Sequence, residues 1–262
     1  VNTEFEYDYL LIGDSHANHY YRGIKAKGTK IKKSWYSACL SFPNSISETP
    51  GVRVSVTDSW KTSCGNNYKL ALNEQSPIII AQSWHKPEKN SLGCTNENCK
   101  ISGNYYIDLK VQLRELLGTY KNNEQVYIIG ELPKALTNEI MLCLRTNHLL
   151  GLQLSCADKG KPKHFVIKIN NILREVTSSF SNVVFIDPGD AICNGESCFY
   201  NHNGKSIFMA DGSHLSGYGS ELVWEYIMSN IEKVARLTSP VKHLFYQTSP
   251  SSDCTIRCIN FS

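Results

Sequence analysis

Nowhere does this chain assemble the ~18–20 consecutive apolar residues that cross a bilayer, so a membrane-spanning helix is excluded within it. It also lacks a large charge of either sign. Lys and Arg number 27 against 24 Asp and Glu, and the formal net charge of +3 argues against a nucleic-acid partner. Two local basic stretches exist, Lys25, Lys27, Lys30, Lys32 and Lys33, and then Lys159, Lys161 and Lys163. Both read as solvated faces. Repeats and low-complexity segments are absent, and 41% hydrophobic with 19% charged residues describes an ordinary folded protein, not a disordered one. No signal peptide is visible, and the chain begins with Val1. The lone glycosylation sequon is Asn260-Phe261-Ser262 at the extreme C-terminus, which leans away from a glycosylated eukaryotic secreted protein.

Cysteine, in contrast, is plentiful. Ten cysteines fall into five sequence-local couples: Cys39/Cys64, Cys94/Cys99, Cys143/Cys156, Cys193/Cys198 and Cys254/Cys258. An even count in local couples reads as disulfides in an oxidising compartment. Zinc is the competing reading, but the close couples lack a Cys-x2-Cys knuckle or a nearby His-x3-His partner. Counting alone does not fix connectivity, so the five pairings stand as an expectation. Oxidised cysteines without an export signal predict a mature form, or an excised domain of a larger exported or membrane protein.

The length of 262 residues suits one large domain, or one domain with a small appendage. Such a chain buries roughly 70–75% of its unfolded surface, so a proper core is available without crosslinks. Five short runs read as strands: residues 7–12, 30–35, 78–82, 126–130 and 183–186. All but the second are near-continuous β-branched or aromatic runs, as in strands covered on both faces. Helical spacing occupies 16–27, 105–119, 137–149, 164–180 and 217–236. Strand alternating with helix predicts a parallel five-stranded sheet in a three-layer α/β/α domain with right-handed crossovers. Residues 39–75 and 85–104 break that rhythm and are expected to be loops stapled by disulfides. Closing a 15-residue loop in this way stabilises by about 3 kcal/mol.

The first strand runs into Gly13-Asp14-Ser15-His16. In an open parallel sheet the carboxyl ends of the strands form the ligand crevice. A serine there, opening a helix, presents its hydroxyl at the mouth and its amide where an oxyanion can be held. The bland alternative is a helix cap. Near the other end comes Asp211-Gly212-Ser213-His214-Leu215-Ser216, just before the last helix. A serine nucleophile needs a base, and the base needs a group that fixes its tautomer. Asp211 and His214 supply both, with Asp211 on one ring nitrogen and Ser15 on the other. A turn Asp beside an exposed His is the alternative, much weakened by the strand-end serine. An imidazole base must be neutral, so activity is expected to fall on acidification through roughly pH 6–7.

Gly13-Asp14-Ser15-His16 resembles the first block of the SGNH (GDSL-like) hydrolases, and Asp211-x-x-His214 resembles their last. The resemblance covers roughly residues 7–236. It is strongest to the SGNH domain fused to the C-terminus of bacterial acyltransferase-3 membrane proteins. Ser37-Ala38-Cys39 after the second strand, Cys64, Trp84 at the end of the third, the Cys143/Cys156 couple and Asp187-Pro188 before Cys193 and Cys198 carry that narrower likeness. The resemblance implies a flavodoxin-like SGNH domain over 1–236 with an extension over 237–262. It implies Ser15, Asp211 and His214 as the catalytic residues, and an acyl group, usually acetyl, carried to a cell-surface glycan such as lipopolysaccharide O-antigen. The acyl donor would be an acyltransferase-3 transmembrane domain, most simply of the same polypeptide. The domain would lie on the periplasmic side of a bacterial inner membrane, with no metal or diffusible cofactor.

One block departs from the wider superfamily. Gly-x-Asn-Asp should follow the third strand and supply an oxyanion-hole Asn, but Gln82-Ser83-Trp84-His85 stands there. The amides of Ser15 and of Ser37 or Ala38 are the replacements, with Trp84 a weaker one. His16 and His85 are near enough to touch substrate but read more readily as structural. Asp187 at the end of the fifth strand reads as turn chemistry. Among Trp35, Tyr36, Trp60 and Trp84, otherwise core or loop packing, Trp84 is the best placed to stack on a sugar. Two alternatives use the same scaffold: a secreted carbohydrate esterase with water as acceptor, and a glycan-binding module without turnover.

Overall fold

The computed structural model describes residues 7–35, 42–43, 45–47, 63, 66–72, 74–84, 92–94, 100–123, 125–133, 138–152, 159–209 and 211–238. Five parallel strands form the central sheet: β1 (Tyr9–Gly13), β2 (Ile31–Trp35), β4 (Ile78–Ala81), β6 (Val126–Ile129) and β8 (Val183–Ile186). Their order is β2-β1-β4-β6-β8. Counting only these five along the chain, this is the 2-1-3-4-5 order of flavodoxin-like sheets, with the direction of winding reversing between the first and third strands. The expected sheet is therefore present strand for strand.

Alternation along each strand sends side chains to both faces. Leu10, Ile12, Ile78, Ile80, Val126 and Ile128 pack with Leu109, Leu113, Leu116 and Leu117 of α3 (Tyr105–Thr119) and with Ile169, Leu173 and Val176 of α5 (His164–Thr177). Leu11, Ile79, Tyr127, Ile129 and Ile186 pack instead with α2 (Tyr21–Lys27) and α6 (Gly217–Thr238), through Ile24, Val223, Trp224, Ile227 and Ile231. Apolar residues at i, i+4, i+7 and i+8 give α3 one buried stripe, which is why it forms there. Each fully buried Leu or Ile contributes about 1.5–3 kcal/mol. The remaining helix, α4 (Asn138–Leu150), follows β6. Among the described residues no helix is long and apolar enough to cross a membrane.

Three expectations are refined. The helix expected over 16–27 is broken into α1 (Ser15–Asn18) and α2. The break lets Tyr20, 2% exposed, pack its ring 5.7 Å from that of Trp224. β2 has the weakest apolar pattern because it is an edge strand, and Lys32 and Lys33 in it suit an exposed edge. The two irregular segments pair with one another, β3 (Ser45–Ser47) running antiparallel to β5 (Leu92–Cys94).

Further short strands, β7 (Lys159–Gly160), β9 (Cys193–Asn194) and β10 (Ser197–Phe199), make a small antiparallel sheet. The Cys193–Cys198 disulfide closes one end of it, and Cys143 is also disulfide-bonded. Cys39, Cys64, Cys99, Cys156, Cys254 and Cys258 lie outside the described residues, as does the extension expected over 239–262.

Candidate active site

β1 ends in Gly13 because nothing larger fits. A Cβ there would stand 1.7 Å from the Ala81 carbonyl oxygen on the neighbouring strand. The chain then turns at Asp14, whose side chain caps α1 by accepting the His16 N–H at 2.8 Å. The same carboxylate, 1% exposed, accepts the Ser83 N–H at 3.1 and 3.2 Å, so it ties the end of β1 to the segment after β4. Asn67, also buried, donates from Nδ2 to the Gly13 carbonyl at 3.2 Å and accepts from the Ser34 hydroxyl at 3.1 Å. Capping and chemistry are therefore not alternatives here. Asp14 does the capping, and Ser15, the next residue, is left with its hydroxyl free for another partner.

That partner comes from the far end of the chain. Between Met209 and Ser216 a turn is held by the Met209 N–H on the His214 carbonyl (2.8 Å) and the Gly212 N–H on the Met209 carbonyl (2.9 Å). Gly212 takes a left-handed φ of 67° in it, which favours glycine. Asp211 Oδ1 accepts the amides of Ser213 and His214 at 2.8 and 2.9 Å, leaving Oδ2 on His214 Nδ1 at 2.7 Å. His214 Nε2 lies 2.9 Å from Ser15 Oγ, across 199 residues of sequence. A carboxylate only accepts, so the ring proton sits on Nδ1 and Nε2 is free to take a proton from Ser15. Burial alone would raise the Asp211 carboxyl. The bonds from the His214 ring and from the two amides outweigh it and hold Asp211 well below the usual carboxylate range.

Ser15, Asp211 and His214 are thus one hydrogen-bonded chain, and it opens on a cleft of about 790 Å³. Its lining includes Ser15, Asn18 and Arg22 from the first segment and Phe208, Met209 and Gly217 from the last. Ser15 is the first residue of α1, so its own amide is among those a helix leaves without an intrahelical acceptor. His16 does not face the cleft as a substrate contact would. It is 9% exposed and stacks behind His214, centroids 4.7 Å apart and planes 26° apart, with its Nδ1 3.4 Å from Asp14.

Trp84 corrects the sequence reading. It is fully buried, its indole N–H donates to the Ile129 carbonyl at 2.7 Å, and its own carbonyl accepts from the Tyr105 hydroxyl. Its ring is not available to stack on a sugar, and only its backbone amide could serve an oxyanion. The core behind β4 and β6 had room for a large side chain and took it. Ser37, Ala38, His85, Tyr36 and Trp60 lie outside the described residues, and Trp35 is 40% exposed at the end of β2.

Asp187 is a turn residue, as expected. It accepts the Gly189 N–H at 3.0 Å and the Asn170 amide at 3.1 and 3.2 Å, with Arg174 at 3.4 Å. Burial pushes its carboxyl above the ordinary range despite those bonds. Sequence reasoning missed Asn67 and the double role of Asp14. Asn67 sits in a stretch rich in Ser and Asn and carries no signal of its own, whereas an Asp directly after a strand and before a helix does.

The family model described as "SGNH domain (fused to AT3 domains)" matches residues 3–228. No curated protein matches the sequence. Among solved structures, the periplasmic domain of the lipopolysaccharide acetyltransferase of Salmonella ser. Paratyphi A superposes with a TM-score of 0.58 at 16% identity, over 86% of this chain and 84% of that one. The C-terminal catalytic domain of Streptococcus pneumoniae peptidoglycan O-acetyltransferase A gives a TM-score of 0.44 at 13% identity, over 87% and 94%. At such identity the first likeness speaks to the fold.

Proposed function

This chain belongs to the family of SGNH domains fused to AT3 domains, and from that premise we propose that it is the acyl-transfer domain of a glycan O-acyltransferase. The observation that carries the reading is the continuous chain from Asp211 through His214 to Ser15 at the mouth of an open cleft. His214 Nε2 takes the Ser15 proton as Oγ attacks the acyl carbonyl, and Asp211 stabilises the imidazolium that forms. The Ser15 amide, with those of Ser37 or Ala38, holds the oxyanion. Collapse gives an acyl-serine, and the leaving group departs with the proton from His214. A sugar hydroxyl then enters, gives its proton to His214 and attacks the acyl-serine; the Ser15 Oγ leaves with the proton returned by His214, and the acylated sugar is released.

The acyl group, acetyl in the simplest case, would come from an AT3 transmembrane domain. Acylation would take place on the extracytoplasmic side, on a glycan such as lipopolysaccharide O-antigen. This chemistry calls for no metal or diffusible cofactor on the domain. The same residues would serve an esterase if water replaced the sugar. Its open cleft, which admits either, is the observation behind that second reading.

A chromogenic acetyl ester tests the proposal. The chain should release the chromophore, a serine-directed sulfonyl fluoride should label Ser15 alone, and folded Ser15→Ala should lose both properties. Added acceptor glycan should speed release and appear acetylated if the domain is a transferase, whereas acetate alone would mark an esterase. Release by Ser15→Ala at the parent rate would sink the catalytic reading.

A further inference from the structure

Arg22 lines the same cleft as Ser15 and His214, yet among the described residues no carboxylate pairs with it. Two other cations, one on the same helix and one on β2, are paired. Lys27 is paired with Glu225 at 3.2 Å, and Lys32 with Glu74 at 3.7 Å. The carboxylate that lines the cleft, Asp211, has both oxygens committed to the turn around His214. Beside Arg22, Tyr21 shows half of its surface, and the Lys33 ammonium sits 4.1 Å from its ring centroid. Met209, also in the lining of this cleft, is 52% exposed. The cleft that Ser15 lines is thus also lined by a planar cationic fork, an aromatic ring and an apolar side chain.

A guanidinium binds carboxylate and phosphate through two parallel hydrogen bonds, which a neutral hydroxyl does not match. The aromatic face of Tyr21 suits the apolar face of a sugar ring. We propose that the acceptor glycan is anionic: Arg22 binds a carboxylate or phosphate borne by the sugar that is acylated, or by the residue next to it. This rests on the acyl-transfer reading above and names the class of acceptor. The position of Arg22 is set by Gly217, since a Cβ there would lie 2.8 Å from Arg22 Cδ and Nη1. Arg22 therefore lies over the first residue of α6, in room that the glycine leaves.

The test uses deacetylation of mono-O-acetylated sugars by the 262-residue chain, the acyl-transfer reaction run from its product side with water. Three probes are compared: acetylated methyl galactosiduronate with its carboxylate free, acetylated methyl galactoside 6-phosphate and acetylated methyl galactoside. One or both anionic esters should exceed the neutral one in kcat/KM by roughly tenfold, the scale of one charge-assisted pair. Which of them does so tells carboxylate from phosphate. Arg22→Gln should bring the ratio near one and Arg22→Lys should restore part of it. Gly217→Ala, which displaces the guanidinium but keeps its charge, should lower it. Lys168→Gln, at a lysine stacked on Tyr106 away from the cleft, should leave it alone. Equal rates on all three probes, or a preference that survives Arg22→Gln, would overturn the inference. If the chain also fails to cleave the chromogenic acetyl ester, the acyl-transfer reading itself has failed. If it cleaves that ester through Ser15 without preferring an anion, only the anionic acceptor is lost.

Discussion

At the carboxyl end of β1, Asp14 caps α1 by accepting an amide two residues on, at 2.8 Å. At the carboxyl end of β8, Asp187 does the same for a short 3-10 turn over Pro188–Ala191, at 3.0 Å. Both carboxylates also reach beyond their own turn, Asp14 to the Ser83 amide and Asp187 to Asn170 and Arg174. The residue that follows separates them. After Asp14 comes Ser15, whose hydroxyl meets His214, and after Asp187 comes Pro188, which has no polar side chain. A strand-end Asp is a local device for ending a strand and starting a helix. Whether a reactive group stands beside it, and whether a base arrives from elsewhere, is a separate matter.

The sharpest way to break this comparison is to remove the chemistry from the β1 end alone. Ser15→Ala and His214→Ala should each lower chromogenic ester hydrolysis by several orders of magnitude, with the double variant scarcely worse, because such residues act as a unit. Additive losses would show that the two do not share a step. Asp211→Asn should cost on the order of ten-thousandfold, through the wrong imidazole tautomer, and should lower the urea midpoint at neutral pH, because it removes the ionised carboxylate that the fold favours.

The next largest contrast is in stability. Asp14→Ala leaves the buried amides of His16 and Ser83 without their acceptor and should cost about 3 kcal/mol in urea unfolding. Asp187→Ala should cost about 1 kcal/mol, the scale of a lost cap. It should leave ester hydrolysis unchanged. Equal costs at the two sites would mean that the β1 end is no more tightly held than the β8 end.

The smallest effect is a pair of opposite pH slopes. Both carboxyls start from an ordinary value of 3.8, Asp211 falling below it on folding and Asp187 rising above it. Below its ordinary value Asp211 binds more protons unfolded than folded, so its stabilisation is lost as pH falls through its depressed folded value. Asp187 has the reverse sign. Its contribution is greatest below the ordinary value and is lost as pH rises through its raised folded value. Urea midpoints measured against pH should therefore lose a falling segment above pH 4 in Asp187→Asn, and lose a rising segment below it in Asp211→Asn. Identical changes in the two variants would contradict the opposed shifts.

Much of this was legible before the fold was known. Apolar runs marked four of the five sheet strands to within about two residues, because burial on both faces demands continuous β-branched residues, whereas the edge strand β2 carried only a weak signal. Gly13-Asp14-Ser15-His16 and Asp211-x-x-His214 were visible because strand ends and helix starts have strong local chemistry. Trp84 was misjudged because position along a strand says where a residue stands but not which layer has room for its ring. His16 reads from the sequence as structural more readily than as a substrate contact, and its burial and its stack on His214 agree with that.

What the sequence by itself determined is the set of elements and the kinds of reactive group, since propensity, periodicity and capping act over a few neighbouring residues. Only the tertiary structure decided their meeting. It brings Asn67 to the Gly13 carbonyl across 54 residues and His214 to Ser15 across 199, and it places Arg22 in the cleft with no carboxylate paired to it among the described residues. Hydrogen bonds of that kind depend on the order in which strands pair and on which face each helix covers. Those choices are made by the packing of the whole sheet and are not written in any one segment.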